Sequence, residues 1–147
     1  MMEQSFSAAG WENPPITEID RIIAGAKTVA VVGLSSNESK ASNRVADYLA
    51  AHGFDIIPVN PAEAEILGKK SYPDLTSIGR SIDIVDVFRR SEDTPAIVKE
   101  AVAVGAKCVW LQKGIVSEEA YQLARRAGIR IVMDRCLKEE HTRLSTQ

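Results

Sequence analysis

The chain has little of what would place it outside a reducing, aqueous compartment. Its only cysteines are Cys108 and Cys136, with no CxxC pair, which argues against a disulfide framework and a cysteine-zinc site. No apolar run approaches the roughly 20 residues that a membrane-spanning helix needs. The first residues offer neither a basic leader nor an apolar signal core, so no membrane partner and a cytoplasmic location are expected. A basic excess is missing too: 18 Lys and Arg stand against 20 Asp and Glu, so nothing marks nucleic acid as a partner. Two nucleotide signatures are also absent. The G-x-G-x-x-G fingerprint keeps only Gly33, and the P-loop pattern GxxxxGK[ST] does not occur.

What the chain does hold is an apolar run, Thr28-Val29-Ala30-Val31-Val32, leading into Gly33-Leu34-Ser35-Ser36 and then a helical pattern from Lys40. A short β-branched run of this kind suits a central parallel strand covered on both faces. Gly33 lets the backbone turn sharply or approach a ligand, and the following N–H groups and helix N-terminus form an anion site. A plain strand-to-helix turn is the competing reading.

The rest follows a regular order. Residues 1–15, with Asn13-Pro14-Pro15, read as a loose arm, and 138–147 as a C-terminal tail of a single domain over 1–147. Thr17 caps a short helix with Ile19, Ile22 and Ile23 on one face, ended by Gly25. Lys40 to His52 is a helix carrying Val45, Ala46, Leu49 and Ala50, followed by a strand over 55–59 whose Pro58 leaves one flank weakly paired. Glu63 to Leu67 reads as a turn of helix and 69–72 as a brief strand, with Lys69-Lys70 a charged edge. A strand over 83–88 comes next, its alternation resembling a half-buried one. Thr94-Pro95 then opens a helix with Ile97, Ala101 and Val104, and 107–111 is a strand in which Trp110 serves the core or an interface. Ser117 caps a helix through Ala127, and 130–133 is the last strand. Strand and helix recur about every 23 to 27 residues. The expected fold class is α/β: a Rossmann-like, doubly wound, mainly parallel sheet of about five to six strands with helices on both faces.

In such a sheet a ligand sits beyond the carboxyl ends of the strands, where the strand order reverses. A dinucleotide site wants an acid at the end of the second strand to bond the ribose, whereas this chain places Asn60 there. A neutral residue leaves room for a ribose phosphate. The motifs Val32-Gly33-Leu34-Ser35-Ser36, Ile57-Pro58-Val59-Asn60-Pro61, Ile84-Val85-Asp86-Val87-Phe88-Arg89-Arg90, Val109-Trp110-Leu111-Gln112-Lys113-Gly114 and Met133-Asp134-Arg135-Cys136 occur in that order. Together they resemble the stand-alone bacterial CoA-binding proteins, which are similar to the CoA-binding domain of the succinyl-CoA synthetase α subunit, over residues 16–144.

The resemblance implies coenzyme A or an acyl-CoA as cofactor. Gly33, Leu34, Ser35 and Ser36 would hold its pyrophosphate, with Lys40 and Arg44 neutralising charge. Val59, Asn60, Pro61 and Tyr72 would lie near adenine or ribose, and Val87, Phe88, Arg89 and Pro95 near the adenosine–pantetheine region. Leu111, Gln112 and Gly114 would line the pantetheine end. Neither His52 nor His141 matches the synthetase's phosphorylated histidine, which belongs to a second domain. No nucleophile–base pair stands in the strand-end loops, so non-catalytic binding, as sensor, carrier or regulatory module, is the expectation. An NAD(P)-linked oxidoreductase or an acyl-CoA-handling enzyme on the same fold is the alternative. Cys108 reads as an inert core thiol, and Cys136 as a strand-end thiol beside Arg135, which would lower its pKa; only if a CoA thiol reached it would a mixed disulfide be open to it. Asp134 and Arg135 read as a structural cap in preference to a metal site. An exposed edge strand and Trp110 leave room for a homodimer or an unidentified protein partner.

Overall fold

A computed structural model describes residues 10–146. The first elements are helix α1 (Ile16–Ala24), strand β1 (Thr28–Val32), helix α2 (Ala41–Ala51) and strand β2 (Asp55–Val59). Two-residue strands β3 (Glu65–Ile66) and β4 (Lys69–Lys70) come next, then β5 (Ile84–Val87) and α3 (Thr94–Ala103). The chain ends with β6 (Cys108–Leu111), α4 (Glu118–Ala127), β7 (Arg130–Val132) and α5 (Leu137–Ser145). Five strands form one parallel sheet in the order β2-β1-β5-β6-β7. This is the doubly wound order in which the chain builds outward from β1 first one way and then the other.

The apolar strands specify this arrangement because they are covered on both faces. Val29, Val31, Ile56, Ile84, Trp110 and Val132 pack under α1, α2 and α5 through Ile19, Ile22, Val45, Leu49 and Leu137. Ala30, Ile57, Val85, Val109 and Ile131 pack on the opposite face under α3 and α4 through Val98, Ala101, Ala120 and Ala124. The α/β class, the parallel sheet and helices on both faces are therefore as the sequence predicts. The alternation in β5 is misleading, because all four of its residues are buried and Asp86 is enclosed along with its apolar neighbours. Trp110 is fully buried, with Nε1 donating to Arg135 O at 2.7 Å, so it belongs to the core and not to a surface. Cys108 is buried as well, and burial pushes its thiol up to about 12, which keeps it unreactive.

Other expectations need correction. Helix α1 starts at Ile16 after Pro15, and Thr17 lies inside it without capping it. Glu63 to Leu67 is not helical: Glu65 and Ile66 pair antiparallel with Lys70 and Lys69. Leu67 (φ 55°) and Gly68 (φ 72°) both adopt positive φ, the geometry of a two-residue hairpin turn, and that pairing overrides the local helical signal. Tyr72 lies beyond β4 and bridges to Val59. Thr94 is the first residue of α3 and not its cap; its Oγ1 donates to Ser91 O at 2.7 Å across a 3₁₀ turn, Ser91–Asp93. Ser117 caps α4 as expected, accepting from Ala120 N at 3.0 Å.

Both sheet edges carry contacts at their carboxyl ends. On β2, Pro58 sits at the outer edge, where its missing N–H costs no ladder bond. Tyr72 N donates to Pro58 O at 3.0 Å, and Asn60 N donates to Tyr72 O at 2.9 Å. Beyond β7, the Asn13 side chain donates to Met133 O and accepts from Met133 N, both at 2.8 Å. Residues 10–15 of the expected loose arm are therefore pinned to the sheet, while 1–9 lie outside the described residues. The expected tail after residue 138 is helical to Ser145.

Candidate functional site

The strand order reverses between β1 and β5, and the carboxyl ends of those two strands meet at Gly33. Gly33 N donates to Val59 O and Phe88 N donates to Val32 O, each at 2.9 Å, so the loops after β1, β2 and β5 are laced together. Gly33 has φ 86°, and a Cβ there would stand 2.5 Å from Phe88 O. Both the turn and the close approach require glycine.

From Gly33 the chain runs over the N-terminus of α2. Leu34 is buried beneath it, while Ser35 N donates to Ser42 Oγ at 3.0 Å and Asn43 Nδ2 donates to Ser35 O at 2.9 Å. Ser42 and Asn43 are buried polar residues of the first helical turn, and these bonds satisfy them. Ser35 Oγ accepts from Asn37 N at 3.0 Å, and Asn37 Oδ1 accepts from Ser39 N at 2.9 Å. Lys40 is the N-cap residue and gives the helix no side-chain cap. The Ala41 and Ser42 amides thus have no acceptor among the described residues, and the helix presents them with its positive end.

Beside this helix start lies a cleft of about 1150 Å³. One wall is Ala41, Arg44 and Val45 of α2. The second is Cys136, Lys138, Glu139, Thr142 and Arg143, at the start of α5 and along it. Phe88, Arg89 and Arg90 after β5, and Gln112, Lys113 and Ile115 after β6, complete it. Six cationic side chains and one carboxylate line a cleft in a chain whose formal net charge is −2. Arg89 and Arg90 share Asp93, Lys113 pairs with Glu139 at 3.0 Å, and Arg143 pairs with Asp20 and Glu140. The bond to Glu139 holds the Lys113 ammonium above its ordinary value. Arg44 has no carboxylate partner among the described residues; its guanidinium donates to Ser39 O. Such a concentration of one sign in a concave site focuses the field on an anion.

The expected site residues divide sharply. Arg44, Phe88, Arg89 and Gln112 line the cleft. Gly33, Ser35, Ser36 and Lys40 form the loop at its border. The side chains of Leu34, Val59, Val87 and Leu111 are in the core, which leaves only backbone atoms for a ligand. Asn60 is a fastener: Nδ2 donates to Leu34 O at 2.9 Å and Oδ1 accepts from Ala62 N at 2.8 Å. Pro61 is exposed on that turn, and Tyr72 stands behind β2 with the Lys70 ammonium 5.0 Å from its ring centre. Pro95 is half-buried on α3, which covers the other face of the sheet from α2 and α5. Gly114 N donates to Asp134 Oδ1 at 2.7 Å, so Asp134 ties two loops together. Gln112 is buried, and its carbonyl accepts from Leu137 N at 3.1 Å, supplying the cap that starts α5.

Among the lining residues that sequence reasoning left out of the site, the largest group is on α5: Lys138, Glu139, Thr142 and Arg143. A signal for that helix is present. Leu137 and Leu144 stand one heptad apart, acids occupy the first turn and Arg143 the last. Cys136 lines the cleft half-buried, one residue from the Arg135 guanidinium, which is engaged by Glu140 at 3.0 Å.

Comparison with known proteins gives the site a context. Residues 27–142 match the family model described as a CoA binding domain. The chain is 42% identical over 130 residues to YneT of Bacillus subtilis, covering 88% of this chain and 96% of that protein. It is 26% identical over 129 residues to an ADP-forming acetate–CoA ligase of Archaeoglobus fulgidus, covering 81% of this chain and 19% of the ligase. Among solved structures, a Pyrococcus horikoshii protein superposes with a TM-score of 0.86 at 38% identity, over 98% of this chain and 99% of that one. A Thermus thermophilus protein does so at 0.85 and 34%, over 89% and 99%. A match over most of the chain, and in every strand that shapes the cleft, places this protein in the CoA-binding domain family.

Proposed function

We propose that this chain binds coenzyme A or an acyl-CoA without acting on it. The observation that carries the reading is the cationic cleft at the carboxyl ends of β1, β5 and β6, beside the uncapped N-terminus of α2. A pyrophosphate is bound well by free helix amides together with guanidinium groups. Gly33, Ser35, Ser36, Lys40 and Arg44 are the pyrophosphate grip, and the apolar strip of Val45, Phe88 and Ile115 takes the uncharged pantetheine arm. The lining contains no histidine or serine among the described residues. That supports a grip in preference to a reaction centre, and a sensor, carrier or regulatory module requires no more.

Calorimetric titration with CoA, dephospho-CoA, NAD and NADP tests the reading. Saturable binding of CoA is expected, weakened about five- to tenfold by Arg44→Ala through loss of one charge-assisted contact. Saturable binding of NAD with none of CoA overturns it.

A further inference from the structure

Ser36 and Glu63 bridge the loop after β1 and the turn after β2. The Ser36 hydroxyl donates to Glu63 Oε2 at 3.2 Å. Glu63 is held there by its own backbone: its N–H reaches Asn60 O at 3.4 Å, inside a turn fixed by the Ala62 N to Asn60 Oδ1 bond. The side chain is half-buried, and no lysine or arginine among the described residues pairs with it. The loop therefore carries at its rim a negative charge with no cationic partner among the described residues.

In a sheet of this order, the ribose of an adenine nucleotide lies at the carboxyl end of the strand next to the phosphate loop, here β2. An acid at that place accepts a hydrogen bond from a free ribose hydroxyl and repels a ribose phosphate. Asn60 holds the strand-end position, and its amide donates to Leu34 O and accepts from Ala62 N. The neutral strand end thus acts as a fastener, and the first carboxylate after it is that of Glu63, three residues later on the turn that follows β2. We propose that Glu63 is a specificity-determining residue that penalises a phosphate on the ribose and narrows the preference for CoA over dephospho-CoA. This rests on the reading of the chain as a CoA binder. It makes the chain a nucleotide-thiol site in which the pyrophosphate is gripped and the ribose phosphate is only tolerated.

Glu63→Gln tests it, because glutamine keeps an acceptor for Ser36 and removes only the charge. Affinities of the wild type and the variant for CoA and dephospho-CoA are measured at low ionic strength, where exposed charges are least screened. The variant is expected to bind CoA about five- to tenfold more tightly, the scale of a unit charge meeting a phosphate across a few ångströms of water. Dephospho-CoA, whose pyrophosphate meets the same Ser36 loop but which lacks the ribose phosphate, is expected to gain clearly less than CoA does. An equal change for both nucleotides, no change for CoA, or weaker CoA binding overturns the role of Glu63. Failure of either nucleotide to bind either protein overturns the CoA reading itself, and the ribose selectivity with it.

Discussion

Asp86 stands in the middle strand of the sheet, fully buried, with neither carboxyl oxygen reaching a donor among the described residues. Its register neighbours are Val31 on one side and Trp110 on the other. Burial raises its pKa well above the ordinary 3.8, so the folded chain keeps the proton that the unfolded chain gives up. Stability from this group is full below about 3.8 and is lost as pH rises toward the raised folded value. Asp86→Val is therefore expected to stabilise the protein at pH 7 by about 1–3 kcal/mol, the cost of an unsatisfied buried polar group. Asp86→Asn is expected to remove the downward slope of stability with pH. Urea unfolding across pH checks both, and a less stable Asp86→Val protein refutes the first. The residue sits two positions before Phe88 of the cleft, which places this cost directly beneath the site.

At the scale of elements, the cleft depends on how α5 is held against α2. Tyr48 of α2 lies 2.7 Å from His141 Nδ1 through its hydroxyl, which also accepts from Thr142 Oγ1 at 3.0 Å. His52 stacks on Tyr48 with ring centres 4.0 Å apart, and its ring centre is 5.4 Å from that of His141. Phe54 closes the group edge-on, and the Lys138 ammonium lies 5.4 Å from the Tyr48 ring centre. Desolvation, with His52 nearby, lowers the His141 pKa below 6.5. A histidine lowered in the fold stabilises it when neutral, and that contribution is lost as pH falls through the unfolded value near 6.5 toward the folded one. The α2–α5 contact is thus expected to weaken on acidification. His141→Asn should show a smaller loss of stability between pH 7.5 and 5.5 than the wild type, the two being compared at each pH because Asp86 works in the opposite direction. An identical loss in both proteins rejects the role of His141. Elements such as β1, α4 and their glycine-bounded neighbours were readable because their signals are local: an apolar run, a Ser117 cap, a helix-ending glycine. Helix α5 has a charge pattern that suits a helix but a weak apolar one, since it buries only Leu137 and takes its cap from Gln112, 25 positions upstream. The β3–β4 hairpin was misread because its pairing overrides a short sequence that suits helix equally well.

For the whole molecule, an acidic chain sets six of its 18 Lys and Arg around one concavity, so association with a polyanion should be steered and salt-sensitive. CoA affinity is expected to fall about tenfold between low and roughly 0.5 M salt, where the Debye length shrinks to a few ångströms. Affinity indifferent to salt would assign the binding to apolar burial instead. That gathering was invisible in net charge and only half visible in the strand-end motifs, which hold Arg89, Arg90 and Lys113, because Arg44 comes from α2 and Lys138 and Arg143 come from α5. The doubly wound order was legible, and so was the switch point at Gly33, since both follow from strand spacing and one glycine. Asn60 was legible as a departure from a dinucleotide site, but its use as a fastener was not, because that depends on Leu34 and Ala62 coming within reach. The arm is the other case: Asn13 meets Met133 across 120 positions of sequence, a distance no local pattern spans. Its amide imitates one residue of a neighbouring strand, offering a donor and an acceptor to the last backbone groups of the sheet. A sixth strand, from another copy or another protein, would have to displace Asn13 before it could zip on. One side chain thus occupies the backbone groups that follow β7, the kind of edge protection that discourages further strand pairing.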